Sequence, residues 1–225
     1  MFRSLLVDNW LRFFFSPGLG ALGGLVAWFM RLPLLIHEAN TRVGLTNRVL
    51  APLAKSVMCG FPATVGLGGR VEWTGNPIRE EFLAFPPPAD HYGQHADDVL
   101  RVLVIGGSQG ARILNQVLPL AMAQLRPEQR PKLVHQCGRG RSAPLERHYQ
   151  QLKMEAEVSE FIDDMAAVYR QADLVICRAG AMTVAEICAA GLAALLVPYP
   201  YAAGDHQRTN ANYLASRGAA IAFDE

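Results

Sequence analysis

Four short stretches of this chain combine residue types that can hold a phosphate, grip a hydroxyl or move a proton. The first, GGSQGAR at 106–112, directly follows the apolar run VLRVLV. Glycines between a strand and a helix let backbone N–H groups approach an anion, and the helix N-terminus adds a favourable partial positive charge. The backbone of Gly106, Gly107 and Gly110 and the side chain of Ser108 therefore suit a phosphate, although a tight turn without any ligand uses the same glycines. A P-loop is excluded, because no Gly-Lys pair precedes a Ser or Thr here. A nicotinamide site fits poorly, because the next strand ends in His135-Gln136-Cys137-Gly138 with no acid for the ribose.

The second stretch, RAGAMTVAE at 178–186, is another strand-to-helix turn with small residues at the bend. Glu186 lies about one turn into its helix, placed to accept two hydrogen bonds from a ribose diol; a solvated helical glutamate is the alternative. The third, GDHQRTNA at 204–211, brings Asp205, His206 and Gln207 to the start of a helix. An N-cap explains Asp205 without a ligand, whereas Gln207 beside two other polar turns invites one. The fourth, HEAN at 37–40, places His37, Glu38 and Asn40 after a short apolar strand.

The elements that must carry these turns are legible in the pattern. Residues 22–30 predict a helix, 33–36 a buried strand, 43–55 a helix, and 56–59 and 71–74 strands. The Pro-rich, polar stretch FPPPADHYGQHADD that follows GNPIREEF sets a boundary near 76–98, dividing a first domain (1–78) from a second (79–225). In the second, strands at 99–105, 132–137, 157–161, 173–177 and 193–197 alternate with helices at 111–125, 142–154, 164–171, 182–190 and 205–217, and AAIAF is a last strand. Apolar, β-branched runs alternating with helices are the signature of a parallel sheet covered on both faces. Such sheets bind ligands at the carboxyl ends of their strands, where all four stretches fall.

The 225 residues are 51% hydrophobic and 18% charged, a globular composition with a net charge of +1 that gives no reason to expect nucleic acid as a partner. Charge is uneven, with eight Lys/Arg against three Asp/Glu over 1–79 and thirteen against seventeen thereafter. The basic first part suits an anionic membrane surface, although chance imbalance on a solvated face gives the same count. Cys59, Cys137, Cys177 and Cys188 form no C-x-x-C pair and no metal-ligand spacing, and Cys137 and Cys177 read as buried small hydrophobes. The uncharged stretch FFFSPGLGALGGLVAWFM at 13–30 contains Pro17 and four glycines. It reads as a Gly-rich loop, a buried helix and a short strand rather than a membrane span.

Six motifs, HEAN with TNR at 37–48, TGNPIR at 74–79, GGSQGAR at 106–112, EFIDDM at 160–165, RAGAMTVAE at 178–186 and GDHQRTNA at 204–211, occur in the order and spacing of the MurG family, which the chain resembles from about residue 16 onward. The resemblance implies an α/β fold of two Rossmann-like domains of the glycosyltransferase B type facing a cleft, with the sugar nucleotide mostly on the second. It implies an inverting transfer of GlcNAc from UDP-GlcNAc to the C4 hydroxyl of undecaprenyl-pyrophosphoryl-MurNAc-pentapeptide in peptidoglycan synthesis. No metal and no other cofactor is implied, and the enzyme is expected to be peripheral on the cytoplasmic face of the bacterial inner membrane. Carried onto this sequence, Ser108 and the 106–110 backbone hold the diphosphate, and Ile162 meets the uracil through its backbone. Ala181, Met182, Thr183, Val184, Ala185 and Glu186 line the nucleotide, with Glu186 on the ribose. Gln207 and Asn40 contact the GlcNAc hydroxyls, and Arg79 reaches the donor from the linker.

Where the sequence departs from the family, the expectations change. The family's first strand and its glycine loop with a histidine are not found in MFRSLLVDNWLRFFF, and the family continues past GAAIAFDE. The first domain is therefore expected to be incomplete, the chain truncated at both ends and its turnover low. His37 or Glu38 are then the candidates for the base that takes the acceptor proton, against a structural hydrogen-bonding role at a strand end. The rival functions are another UDP-sugar transferase or epimerase of the same fold, or a non-catalytic remnant that binds the nucleotide.

Overall fold

The computed structural model describes residues 17–62, 64–67, 71–92, 99–107 and 111–225. The chain divides between Asn76 and Pro77 into two compact units.

The first unit contains α1 (Pro17–Phe29), β1 (Leu35–Glu38), α2 (Leu45–Leu50), a 3-10 turn at Ala51–Leu53, β2 (Ser56–Cys59) and β3 (Val71–Trp73). The strands form a parallel sheet in the order β1-β2-β3, with Ile36 opposite Val57 and Cys59 opposite Trp73. Ile36, Leu50, Ala51 and Val57 make its core, with Leu25 and Leu34 against it.

Four local expectations need correction here. The glycine-rich part of 13–30 is helical from Pro17 on rather than a loop. Proline is suited to a first helical position, and the cost of the glycines is offset by packing: a Cβ on Gly24 would lie 2.5 Å from Leu50 Cδ1. Nor is that helix buried, because Leu22, Val26, Trp28 and Phe29 are exposed. The strand expected at 33–36 starts two residues later, since Pro33 has no N–H for the ladder, so His37 and Glu38 are its last residues rather than its sequel. The helix expected over 43–55 is α2 and then a 3-10 turn, where Pro52 removes a helical donor.

The second unit opens with a 3-10 turn at Glu80–Ala84 and the short α3 (Pro88–His91). There follow β4 (Arg101–Ile105), α4 (Arg112–Ala123), β5 (Lys132–Gln136), α5 (Ser142–Gln151), β6 (Glu157–Ser159), α6 (Met165–Gln171), β7 (Leu174–Cys177), α7 (Ala181–Ala190), β8 (Ala193–Leu196), α8 (His206–Ala215) and β9 (Ala220–Ala222). All six strands are parallel, in the order β6-β5-β4-β7-β8-β9. Counted within the unit this is 3-2-1-4-5-6, the Rossmann order, whose direction of winding reverses between β4 and β7. Both of those strands are buried on both faces, as their unbroken apolar runs require: Val102 to Val104 and Val175 to Cys177 are each at most 2% exposed. Ile105 pairs with Cys177, so the turns that follow β4 and β7 emerge side by side at the carboxyl edge.

Tertiary packing also explains two joints. Helix α7 ends on Gly191 in the left-handed region (φ 67°), where a Cβ would fall 2.4 Å from Pro88 Cγ. The phenol of Tyr92 accepts the N–H of Ala193 at 2.7 Å. Cys137 and Cys177 are buried as free thiols, as the sequence predicts.

Candidate functional site: the carboxyl edge of the second sheet

Two helix N-termini meet the reversal point of the sheet, and neither is capped by a side chain. The N-cap residues of α4 and α7 are Ala111 and Gly180, which carry no side-chain acceptor. Away from this point α6 is capped in the ordinary way, Asp164 accepting the Ala167 N–H at 2.9 Å. Helical bonding begins with Asn115 N–H to Ala111 and Val184 N–H to Gly180. The amides of Ile113, Leu114, Met182 and Thr183 therefore have no intrahelical acceptor. Amides without helical acceptors at two helix starts, with the helix dipole behind them, are chemically suited to receive an anion.

The turn into α4 starts from a fixed point, the Gly106 N–H donating to Gln136 O at 2.9 Å. Gly107 adopts φ +71° with open space where a Cβ would be, so its conformation rather than crowding requires glycine. Ser108 and Gly110 lie outside the described residues. The turn into α7 is held from beneath: Ala179 is buried, and the buried Asn210 donates to its carbonyl at 3.2 Å. Met182 is exposed, while Ala181, Thr183 and Ala185 are half-buried. The Val184 side chain is in the core, and its N–H donates to Gly180 O within the helix.

Glu186 extends the same edge. Arg79 donates to its Oε1 from Nε at 3.1 Å and from Nη2 at 2.8 Å. Both bonds fall on one oxygen, which leaves Oε2 to accept from a ligand hydroxyl. Arg79 is aimed by packing: its guanidinium lies 5.1 Å above the Phe82 ring, and Phe82 is buried edge-on against Tyr169. The pairing joins residues 107 apart in sequence.

At the third turn Gln207 accepts the Tyr199 N–H on Oε1 at 2.9 Å, and its amide NH₂ is the remaining donor of that side chain. Asp205 departs from expectation. It occupies the N-cap position but in the left-handed region (φ 58°), makes no cap bond, and pairs with Arg208 at 3.6 Å. Ile162 is half-buried in the loop between β6 and α6, after an exposed Phe161. Sequence reasoning overlooked Arg178, which donates to Val197 O and Pro198 O, pairs with Glu225 at 2.6 Å and lies over the Tyr199 ring. It ties the second turn to the third, and only its place in RAGAMTVAE hinted at this.

His37, Glu38 and Asn40 belong to the first unit. Glu38 is 3% exposed and accepts four hydrogen bonds: from Asn40 N at 3.0 Å, Asn40 Nδ2 at 3.1 Å, Gly44 N at 3.0 Å and Asn47 Nδ2 at 2.8 Å. Its lone pairs are engaged in folding the 40–47 loop. His37 donates from Nε2 to Gly75 O at 3.0 Å, so Nδ1 is the ring nitrogen not used in that bond.

Comparison with known proteins agrees with this architecture. A sequence from Nitrosococcus oceani named UDP-N-acetylglucosamine--N-acetylmuramyl-(pentapeptide) pyrophosphoryl-undecaprenol N-acetylglucosamine transferase is 51% identical over 203 residues, 90% of this chain and 56% of that protein. One of the same name from Ralstonia nicotianae is 50% identical, over 88% of this chain and 54% of its own length. The crystal structure of Acinetobacter baumannii MurG superposes with a TM-score of 0.77 at 40% identity, covering 90% of this chain and 56% of that one. The chain thus spans about half the length of the curated relatives it matches. The resemblance to the MurG family and the fold of glycosyltransferase B type are both borne out. Residues 101–225 match the glycosyltransferase family 28 C-terminal domain, and the chain belongs to that family.

Proposed function

We propose that this chain serves the transfer of GlcNAc from UDP-GlcNAc to the C4 hydroxyl of lipid-linked MurNAc-pentapeptide, with inversion at the anomeric carbon. The observation that carries this reading is the Arg79–Glu186 pair beside two uncapped helix starts. A carboxylate oxygen for a ribose and amides for a diphosphate, at the reversal point of a Rossmann sheet, match a nucleoside diphosphate sugar. The names of the relatives support UDP-GlcNAc as that donor.

In this reading the leaving UDP is stabilised by the amides of the two turns and by Arg79, fixed dipoles and charge that need no reorganisation during reaction. Gln207 donates to a GlcNAc hydroxyl. Ile162 offers its backbone to the uracil. The acceptor proton passes to Nδ1 of His37 rather than to Glu38, whose oxygens are occupied.

The exposed face of α1 supports a site of action at a membrane surface. Leu22, Val26, Phe29 and Met30 are 55–76% exposed along one side of the helix and the turn after it, next to Arg31. Among the described residues no helix is long and apolar enough to cross a membrane. We assign this face to docking on the anionic cytoplasmic surface of the inner membrane, where the lipid-linked acceptor resides.

The test is incubation of the chain with labelled UDP-GlcNAc and a lipid-linked MurNAc-pentapeptide acceptor. Label in the disaccharide product, with one UDP released per transfer, is the expected result. Binding of UDP-GlcNAc without transfer would reduce the function to nucleotide-sugar binding, and conversion to the 2-epimer would make the chain an epimerase.

A further inference from the structure

Beneath the carboxyl edge of the second sheet a chain of hydrogen bonds crosses three elements. Tyr149 of α5, His135 of β5 and Asn115 of α4 are its members. His135 Nδ1 lies 2.9 Å from Tyr149 Oη, and its Nε2 lies 3.0 Å from Asn115 Oδ1. Asn115 Nδ2 donates to Cys137 O at 3.0 Å. His135 and Cys137 are fully buried, and Tyr149 is 2% exposed.

The direction of every proton follows from the two ends. Cys137 offers only a carbonyl, so Asn115 must present its NH₂ there and its Oδ1 to His135. His135 must then carry its proton on Nε2. Burial lowers its pKa from the ordinary 6.5 to about 4, so the ring is neutral and Nδ1 is an acceptor for the Tyr149 hydroxyl. The chain runs Tyr149 → His135 → Asn115 → Cys137 with each bond satisfied.

Its two attachment points flank the anion-binding turn. Asn115 is in the first turn of α4, and its N–H makes the helix's first bond, to Ala111 O. Cys137 is the first residue after β5, and the preceding residue, Gln136, accepts the Gly106 N–H where the turn begins. Gly106, the first residue after β4, is therefore pinned to the end of β5, and α4 is itself tied to the end of β5 through Asn115. Apolar packing alone would tolerate small rotations of α4, because burial is not directional. A satisfied hydrogen-bond chain permits one register.

We propose that His135, acting through Asn115, is a positioning residue of the donor site: it fixes the rotation and height of the α4 N-terminus and so aims the amides that receive the diphosphate. This rests on the nucleotide-sugar reading of the site. It specifies the α4 N-terminus, rather than the α7 turn and Glu186, as the part whose accuracy depends on the buried relay.

The test compares uridine with UDP as ligands, since only UDP uses the diphosphate site. Wild type, Asn115→Ala, His135→Leu, His135→Gln and Tyr149→Phe are titrated with each, with thermal unfolding to show that each variant folds. Asn115→Ala and His135→Leu are expected to weaken UDP about 10-fold while changing uridine less than about 2-fold, the scale on which a small misplacement of binding groups acts. His135→Gln, which puts an amide donor near the Nε2 position, is expected to restore most of the UDP affinity. Tyr149→Phe removes the far end only and is expected to lower the melting temperature without altering the UDP-to-uridine ratio. Equal losses for both ligands in folded Asn115→Ala or His135→Gln, or no loss at all in Asn115→Ala, would overturn the proposal, leaving the relay a feature of core packing. A wild-type chain with no affinity for UDP would overturn the site reading itself, and the proposal with it.

Discussion

Arg79 holds Glu186 by one oxygen only, with Nε and Nη2 both directed at Oε1. The pair is half in solvent on the arginine side, 46% exposed against 14% for the glutamate. A pair so exposed adds little to stability, so its geometry is better understood as presentation of Oε2. Replacing Glu186 by Ala is expected to raise the dissociation constant for UDP roughly 10- to 100-fold, the effect of losing a hydrogen bond to a charged group. Stability should move by no more than about 0.5 kcal/mol. Calorimetric titration with UDP and 2′-deoxy-UDP checks this: wild type should discriminate between them and Glu186→Ala should not. Equal binding of both by wild type would detach Glu186 from the ribose.

Glu38 and His37 are neighbours with opposite expected phenotypes. Glu38→Ala leaves the donors of Asn40, Gly44 and Asn47 without their acceptor in a buried loop. It should destabilise the first unit by about 2–4 kcal/mol. His37→Ala gives up one bond to Gly75 O and should cost about 1 kcal/mol or less, while transfer of GlcNAc falls by about 10²–10⁴-fold. Urea unfolding beside a transfer assay separates the two. A stable Glu38→Ala chain lacking transfer, with His37→Ala active, would reverse the assignment.

Much of this was legible in the sequence, and what was not has a common cause. The strands of the second unit and their order along the chain could be read because buried parallel strands are continuous apolar runs, such as VLVI and LVIC. The turn after β4 and Glu186 could be singled out as candidates because residue types suited to anions and diols sit at strand ends. What escaped were partners far apart in sequence. Nothing local says that Arg79 meets Glu186, that Asn210 holds Ala179, or that His135 faces Asn115 and Tyr149. His135 stood in the sequence only as part of a strand end without an acid. Local pattern misled where tertiary contact overrode propensity, as in the glycine-rich α1 packed on Leu50, and at Asp205, whose backbone conformation turns its side chain away from a cap.

The exposed face of α1 makes a prediction that separates docking from folding. Phe29 and Met30 are 76% and 66% exposed, so replacing both by Glu should leave the unfolding midpoint nearly unchanged. On the membrane, each removes apolar area and adds repulsion from anionic lipid. Flotation with vesicles containing anionic phospholipid should show wild type bound and released by high salt, and the double variant largely free. Equal flotation of both proteins would place the membrane contact elsewhere.

The buried histidine predicts an acid sensitivity of defined sign. In the folded chain His135 resists protonation down to about pH 4, because burial disfavours the imidazolium. In the unfolded chain the same ring takes up a proton near its ordinary 6.5. Above pH 6.5 both states hold the neutral ring, and the stability it allows is fully present. As pH falls below 6.5 the unfolded state binds more protons than the folded one, and linkage drives unfolding. The loss levels off near pH 4, where the folded state also protonates, after about 3 kcal/mol. Urea unfolding at pH 7, 5.5 and 4.5 measures it, with His135→Gln as the reference that carries every other titrating group unchanged. Wild type should lose about 2 kcal/mol more than the variant between pH 7 and 4.5. Parallel losses in the two proteins would mean that His135 takes its proton in the folded state as readily as in the unfolded one, and the directed chain from Tyr149 to Cys137 would not survive that result.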